Sequence, residues 1–402
     1  MNRTLTILLF FIATISINAQ NVKLNRGLAE QIIHSEMARS PQAWALEGSN
    51  RPKWTYTIGL ELAAMMQYLN HSNVSTISKD ELLNYAKTYY DALINDNGII
   101  SGYKMSDFKL DDINSGKLLF TLYELTKEPK YKIAADTLYK QLSIQPTTPE
   151  GGYWHKKIYP QQMWLDGLYM AEPFKAEYVS RNIPQNEKAK LYDEIVRQFT
   201  LSFEKTICHE CHLPHHAWDS AHKQSWCDPS TGRSAHAWGR AIGWYLMALV
   251  DTYEIIRNDS PDYSGIDSLA LIVNRIASEM IRLQDKKNGC WQQVLDLTGK
   301  EGNYFEMSVT PMTAYSFLKG NRLGILPKAF AKAGKKALKG MCRNFIEKDE
   351  STGRININNI CSVGGLSDDR DGSFEYYLSE PIRVNDPKGV GPFILAFTEL
   401  QR

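Results

Sequence analysis

One carboxylate, Asp166, stands inside the apolar run Met163-Trp164-Leu165-Asp166-Gly167-Leu168. Apolar surroundings disfavour the ionised form of an acid and raise its pKa, which is one way to keep a general acid protonated near neutral pH. The same residue also suits a helix N-cap or a buried Asp bonded to backbone amides. A second acidic position lies in the stretch FKLDDINSG, where Asp111 and Asp112 both precede a helical pattern. Either could join Asp166 as the carboxylate pair that glycoside hydrolysis uses, and either could cap a helix. His155, eleven residues before Asp166, and His216, in HLPHHAWD, lie in loops that lead into helices. They are candidate site groups, although loop histidines more often serve as hydrogen-bonding residues. Arg240 and Trp244, in WGRAIGW, are four apart and share a helix face. An Arg fork can hold a carboxylate while an indole packs on a sugar; the alternative is an ion pair and a core Trp.

The six cysteines are Cys208, Cys211, Cys227, Cys290, Cys342 and Cys361. Six in a chain of this length do not make a disulfide-stapled scaffold. Cys208-His209-Glu210-Cys211-His212 matches covalent haem attachment and also offers half of a zinc site. No second ligand cluster is evident, so a local disulfide or free thiols is the favoured reading. Gly151-Gly152 and Gly364-Gly365 are isolated, and no GxSxG or phosphate-loop pattern occurs.

Residues 1–19 read as an export signal: Arg3 is followed by an apolar run, Leu5 to Ile15, too short to span a bilayer, and Ala19 precedes a cut before Gln20. Export to the periplasm or beyond the cell is expected, with no membrane anchor. The net charge of +1 falls to zero once Arg3 is removed. That leaves no long-range field to gather nucleic acid. Residues 20–402 show no linker or low-complexity segment and read as one domain.

Apolar residues recur at spacings of three and four in about twelve stretches between residues 26 and 400. Alternation of period two is scarce, Ile355 to Ile360 being the main candidate strand. Six helical hairpins must pack side by side to bury their apolar faces, which predicts an all-α (α/α)6 barrel, a six-hairpin toroid, over a solenoid. The loops at 96–112, 149–162, 208–235, 286–305 and 361–391 are rich in aromatic, Asp, His and Gly residues and recur once per hairpin. A barrel would gather them at one mouth. Nine Trp and 21 Tyr suit a sugar-binding rim there.

In that order along residues 40–400, LDDINSGKLLFTLYELT, QQMWLDGLYMAEPF, HAWGRAIGWY and NDPKGVGPFILA resemble the unsaturated rhamnogalacturonyl hydrolases of glycoside hydrolase family 105. The resemblance implies an (α/α)6 barrel and a substrate whose non-reducing end is a 4,5-unsaturated galacturonic acid left by a lyase. It implies hydration of the enol-ether double bond, with no metal or organic cofactor. Asp166 would be the general acid and then the base, and Asp111 the second carboxylate. His155, Trp164, His216, Arg240 and Trp244 would line the uronate subsite, Arg240 on the ligand carboxylate, and Lys388 would reach the rim or cap the last hairpin. The sister family 88 of unsaturated glucuronyl hydrolases shares the fold and the Asp pair. A non-catalytic glycan-binding protein is the alternative of a different class. The CHECH insertion departs from the family pattern, and the sequence leaves the oligomeric state open.

Overall fold

The computed structural model describes residues 19–71 and 76–402. Apart from Ala19, the leader expected over 1–19 lies outside the described residues. The helices are α1 (Leu28–Arg39), α2 (Tyr56–His71), α3 (Lys79–Asp91), the short α4 (Asp111–Asn114), α5 (Lys117–Thr126), α6 (Pro129–Ser143) and α7 (Leu165–Asn182). There follow α8 (Gln185–Thr206), α9 (Gly239–Asp259), α10 (Ile266–Leu283), α11 (Val309–Arg322), α12 (Lys328–Asn344), α13 (Phe374–Ser379) and α14 (Pro387–Gln401).

Their packing forms a closed ring. The order of contact is α2, then α4 with α5, then α7, α9, α11 and α14, and α14 returns to α2. Around it stand α1, α3, α6, α8, α10 and α12, each against a ring member. This is the expected (α/α)6 toroid. Residue pattern assigns each helix to its layer. In α9 every residue from Gly239 to Val250 is buried, as a helix surrounded by others requires. In α10 burial follows one stripe, Leu269, Ile272, Val273, Ile276, Ala277 and Met280, and the opposite face meets solvent. Burying each large apolar side chain of this kind contributes about 1.5–3 kcal/mol. From α2 through α11 each ring helix is followed by an outer one that returns, and α14 follows the outer α12, so all six ring helices run the same way. Their N-termini therefore share one mouth.

Short strands complete the chain: β1 (Ala19–Asn21), β2 (Gln162–Trp164), β3 (Ala217–Asp219), β4 (Ile346–Asp349), β5 (Ile355–Ile357), β6 (Ile360–Cys361) and β7 (Ile382–Arg383). The strand anticipated over Ile355 to Ile360 is split into β5 and β6, in different sheets. β4 pairs antiparallel with β1 and β5, β2 with β3, and β6 with β7. No described helix is long and apolar enough to cross a membrane.

At the end opposite the mouth, Glu254 of α9 lies 2.7 Å from both Lys319 and Arg322 of α11, and Arg322 also grips Glu399 of α14 at 2.7 Å. Burial would raise the Glu254 pKa, but the two cations outweigh it and bring it down to about 2. A carboxylate depressed below its unfolded value stabilises the fold above pH 4.5, and that contribution is lost as pH falls toward 2. Glu254→Gln should therefore cost about 2 kcal/mol at neutral pH. It should also flatten the loss of stability between pH 4.5 and 2, read by denaturant unfolding across that range.

Candidate active site

The mouth is built from the first turns of the ring helices. Tyr56 opens α2, Asp111 opens α4, and Asp166, Arg240 and Lys388 are the second residues of α7, α9 and α14. The β2–β3 ribbon aims α7. Its register sets Gln162 opposite Asp219, Met163 opposite Trp218 and Trp164 opposite Ala217. One ribbon face packs Met163 and Trp218 on Leu201; the other packs Trp164 and Ala217 with Trp226 and Leu366. At the end of the ribbon the Leu165 amide donates to the His216 carbonyl at 3.0 Å. Asp219, at the other end and fully buried, accepts from the amides of Ala221, Lys223 and Gln224 and so anchors the following loop.

This ribbon brings His216 to Asp166. The His216 ring is buried, with Nε2 3.2 Å from Asp166 Oδ2, while the carboxylate keeps 14% of its surface open to solvent. Among the described residues neither of those two atoms has another hydrogen-bond partner. On its far side Nδ1 lies 2.8 Å from the Tyr377 hydroxyl. Burial raises the Tyr377 pKa well above the ordinary range, so the phenol keeps its proton. When Tyr377 donates to Nδ1, Nε2 carries its hydrogen toward Asp166.

Asp111 faces the same space from α4. Its Oδ2 is 2.7 Å from Lys156 Nζ and its Oδ1 is 3.5 Å from His155 Nε2. Burial pushes the Asp111 pKa up, but Lys156 and then His155 outweigh it, and the carboxyl stays below its ordinary range. Asp112 differs. Burial, opposed by Lys109 and reinforced by Asp111, raises it to about 6. The charges of Asp111 and Asp166 both act on Tyr56 and on His155, and that of Asp112 on Tyr103. Asp111 is thus the member of the adjacent pair that meets His155 and Lys156.

His155 lies 3.5 Å from Asp111 and also feels the charge of Asp166. Burial drives its pKa down to about 4 against the pull of Asp111, which leaves a neutral ring. The ring stacks on Trp164 with centroids 4.7 Å apart and planes 5° from parallel, and Trp164 stacks in turn on Tyr159 at 4.9 Å. Gly167, next to the acid, leaves room for this ring: a Cβ there would lie 2.9 Å from His155 Nδ1.

Arg240 and Trp244 share a face of α9, but that face is turned inward, which corrects the expectation of an open Arg fork beside a sugar platform. Both are 1% exposed. Arg240 donates to Ser308 Oγ at 2.7 Å and to the Cys361 carbonyl, and lies 3.5 Å from Glu306. Glu306 in turn accepts from the amides of Ser308, Val309 and Cys361. Arg240 thereby ties the start of α9 to the start of α11 and to the loop after β6. Trp244 stacks on Tyr169 at 4.6 Å and meets Tyr56 edge-on. Lys388, expected at the rim or as a cap of the last hairpin, is buried against Asp386 at 2.7 Å.

Sequence reasoning overlooked Tyr56, Lys156, Trp238 and Tyr377. Lys156 stood beside His155 in the aromatic loop, and Trp238 opens WGRAIGW; both were within reach of the same argument. Trp238 stacks on Tyr377 at 5.7 Å and packs on His216 at 4.7 Å. The isolated Gly364 has its explanation here, since a Cβ would come within 2.5 Å of the Trp238 ring. Among the described residues a cluster of metal-ligand type lies apart from these acids, at Cys208, Cys211 and His215.

Two acids at adjoining helix starts, in a mouth walled by histidine and aromatic rings, suit carbohydrate chemistry. The profile of Glycosyl Hydrolase Family 88 matches residues 28–402. The chain belongs to that family. This family 88 protein is 37% identical to a solved glycoside hydrolase from family 105 of C. acetobutylicum ATCC 824, with a TM-score of 0.84 over 92% of this chain and 98% of the other. Protein Atu3128 of Agrobacterium fabrum is 36% identical over 238 residues, 57% of this chain and 97% of its own length. The unsaturated glucuronyl hydrolase of Bacillus sp. GL1, responsible for the degradation of glycosaminoglycan, shares the fold at 13% identity, with a TM-score of 0.64 over 94% of this chain and 96% of the other.

The crowding at Gly167 gives a direct test. Gly167→Ala improves helix propensity by about 1 kcal/mol, so the melting temperature should hold or change little. The added methyl must tilt the stacked His155 ring. A misplacement approaching 1 Å costs on the order of 100-fold in rate. Hydrolase turnover and a thermal melt, measured side by side, should separate the two effects; unchanged turnover would remove His155 from the working site.

Proposed function

We propose that this glycoside hydrolase removes the 4,5-unsaturated galacturonic acid from the non-reducing end of lyase-generated rhamnogalacturonan oligosaccharides. The observation that carries the proposal is the contrast between the two mouth carboxylates. Asp111, beside Lys156, is held ionised. That suits an acceptor for sugar hydroxyls and unfits it as a proton donor. The acid's task falls to Asp166, which meets His216 and retains an opening to solvent. The likeness to the family 105 enzyme over nearly both whole chains supports the same assignment.

In the proposed reaction the Asp166 carboxyl gives its proton to carbon 4 of the enol ether, and positive charge develops at carbon 5 and the ring oxygen. Water adds at carbon 5 and returns a proton to the Asp166 carboxylate. The hemiketal formed opens to a ketone. That leaves a hemiacetal at carbon 1, which expels the neighbouring sugar. One water is consumed and the acid is restored. Tyr377 and His216 hold Asp166 in line, and neutral His155 spaces it from Asp111. Six helix N-termini at one mouth favour an anionic sugar, since each carries about half a positive charge. Arg240 acts in this scheme as a positioning residue that ties the start of α9 to the start of α11. We also propose that the chain is exported; a cut after Ala19 would leave Gln20 and Asn21 paired with Lys348 and Glu347.

The test follows loss of the ultraviolet absorbance of the unsaturated uronate, with chromatography of the released sugar. Rhamnogalacturonan and glycosaminoglycan lyase products are assayed in parallel with saturated galacturonides. Turnover is expected on the unsaturated pectic set alone. Asp166→Asn should lower kcat by about 100- to 10,000-fold with an unchanged melt. Turnover on the glycosaminoglycan set alone would move the substrate to unsaturated glucuronides. Equal cleavage of saturated galacturonides would overturn hydration, and binding without turnover on any set would make the chain a glycan-binding protein.

A further inference from the structure

The hairpin between α8 and β3 carries a group of side chains that the proposed reaction does not use. The sequence offered two cysteines there and no second half of a metal site; the fold supplies it as His215. One ligand atom from each of Cys208, Cys211 and His215 lies within 4.8 Å of the others. The Cys211 Sγ to His215 Nε2 distance is 3.7 Å. Tetrahedral zinc with ordinary bond lengths would set sulfur and nitrogen about 3.6 Å apart.

Two further features fit ligation. His215 Nδ1 is 2.6 Å from the Ser234 carbonyl. A carbonyl only accepts, so Nδ1 carries the hydrogen and Nε2 turns a lone pair toward Cys211. This is the outer-shell arrangement that orients ligating histidines. The Cys211 amide points at Cys208 Sγ at 3.5 Å, and Glu210 Oε2 lies 2.9 Å from the same sulfur. Cys208 and His215 are buried, whereas a recess of about 470 Å³ lined by Glu210, Cys211 and Asp296 leaves a path for an ion.

We propose that Cys208, Cys211 and His215 bind a divalent transition metal of the zinc class, with Glu210 or a water in the fourth position. The bound ion pins the start of the β3 strand. His215 is adjacent in the chain to His216, so the same ion fixes the backbone that presents His216 to Asp166. The role is structural, because three protein ligands come from one hairpin that does not face the mouth carboxylates.

The experiment measures metal content of the full chain purified without chelator, then titrates the stripped protein with Zn²⁺ and with Co²⁺. One equivalent should bind, and Co²⁺ should give the intense visible bands of a tetrahedral site with thiolate-to-metal charge transfer. Cys211→Ser and His215→Gln should each weaken Zn²⁺ binding by more than about 100-fold; Cys227→Ser, elsewhere in the loop, should leave it unchanged. The wild-type Co²⁺ spectrum decides the matter even if a variant fails to fold. A Cys208–Cys211 disulfide in the purified chain with no bound metal would overturn the proposal, as would metal content unaffected by Cys211→Ser. Failure of the hydrolase assay would leave these metal readouts intact, so the two proposals fall separately.

Discussion

Each ring helix gives its apolar surface to two ring neighbours and to an outer helix. Turning one around, or moving it along its axis, would expose side chains that are now dry. Several buried residues at about 1.5–3 kcal/mol each make that cost as large as the net stability of an ordinary domain. The parallel sense of the six ring helices is thus fixed by packing and owes nothing to catalysis. The gathering of six N-termini is its by-product. Those ends leave amide hydrogens unsatisfied within their helices, and acids collect there: Asp111, Asp166, Glu306 and Asp386. Two of them became structural and two stand at the proposed site.

The division between those pairs rests on what each acid meets. Asp386 caps α14 and holds Lys388; Glu306 caps α11 and meets Arg240. Their charge is matched within the protein. Asp111 is also matched, by Lys156, but it keeps part of its surface open. Among the described residues, the ion-pair partner of Asp166 is a histidine. A gradient from fully paired to barely paired carboxylates thus runs around one mouth, and the least paired one is the group assigned to move a proton.

The helices were legible because a 3.6-residue apolar period is a strong signal over fifteen residues, and the boundaries of α6, α8 and α10 fall within a residue or two of the apolar stretches 130–143, 186–204 and 266–284. The ribbon β2–β3 was not. It is three residues long, and both of its faces are packed, on Leu201 and on Trp226 with Leu366, so no polar alternation betrays it. Asp166 could be singled out by its neighbours in sequence, but choosing Asp111 over Asp112 from residue types alone was not possible. That choice depends on Lys156 and His155, which arrive from a loop some forty residues on. The spacing of Arg240 and Trp244 correctly put them on one face; spacing says nothing about whether a face looks inward or out. Tyr56 was hidden among 21 tyrosines, with nothing local to mark it.

The ring closes between α2 and α14, elements more than three hundred residues apart in the chain. A ribosome that has delivered α2 through α12 has made a curved sheet of helices with two unpaired apolar edges. Neither edge can be covered until residues 387–401 emerge and bridge them. Closure is among the longest-range contacts in the fold and the last available, and non-local contacts of this kind slow folding. Until then the open arc exposes the surfaces on which chaperones and aggregation compete. The circular architecture that gathers the mouth therefore also sets a timetable, in which the assembled site is a late event in the life of each chain.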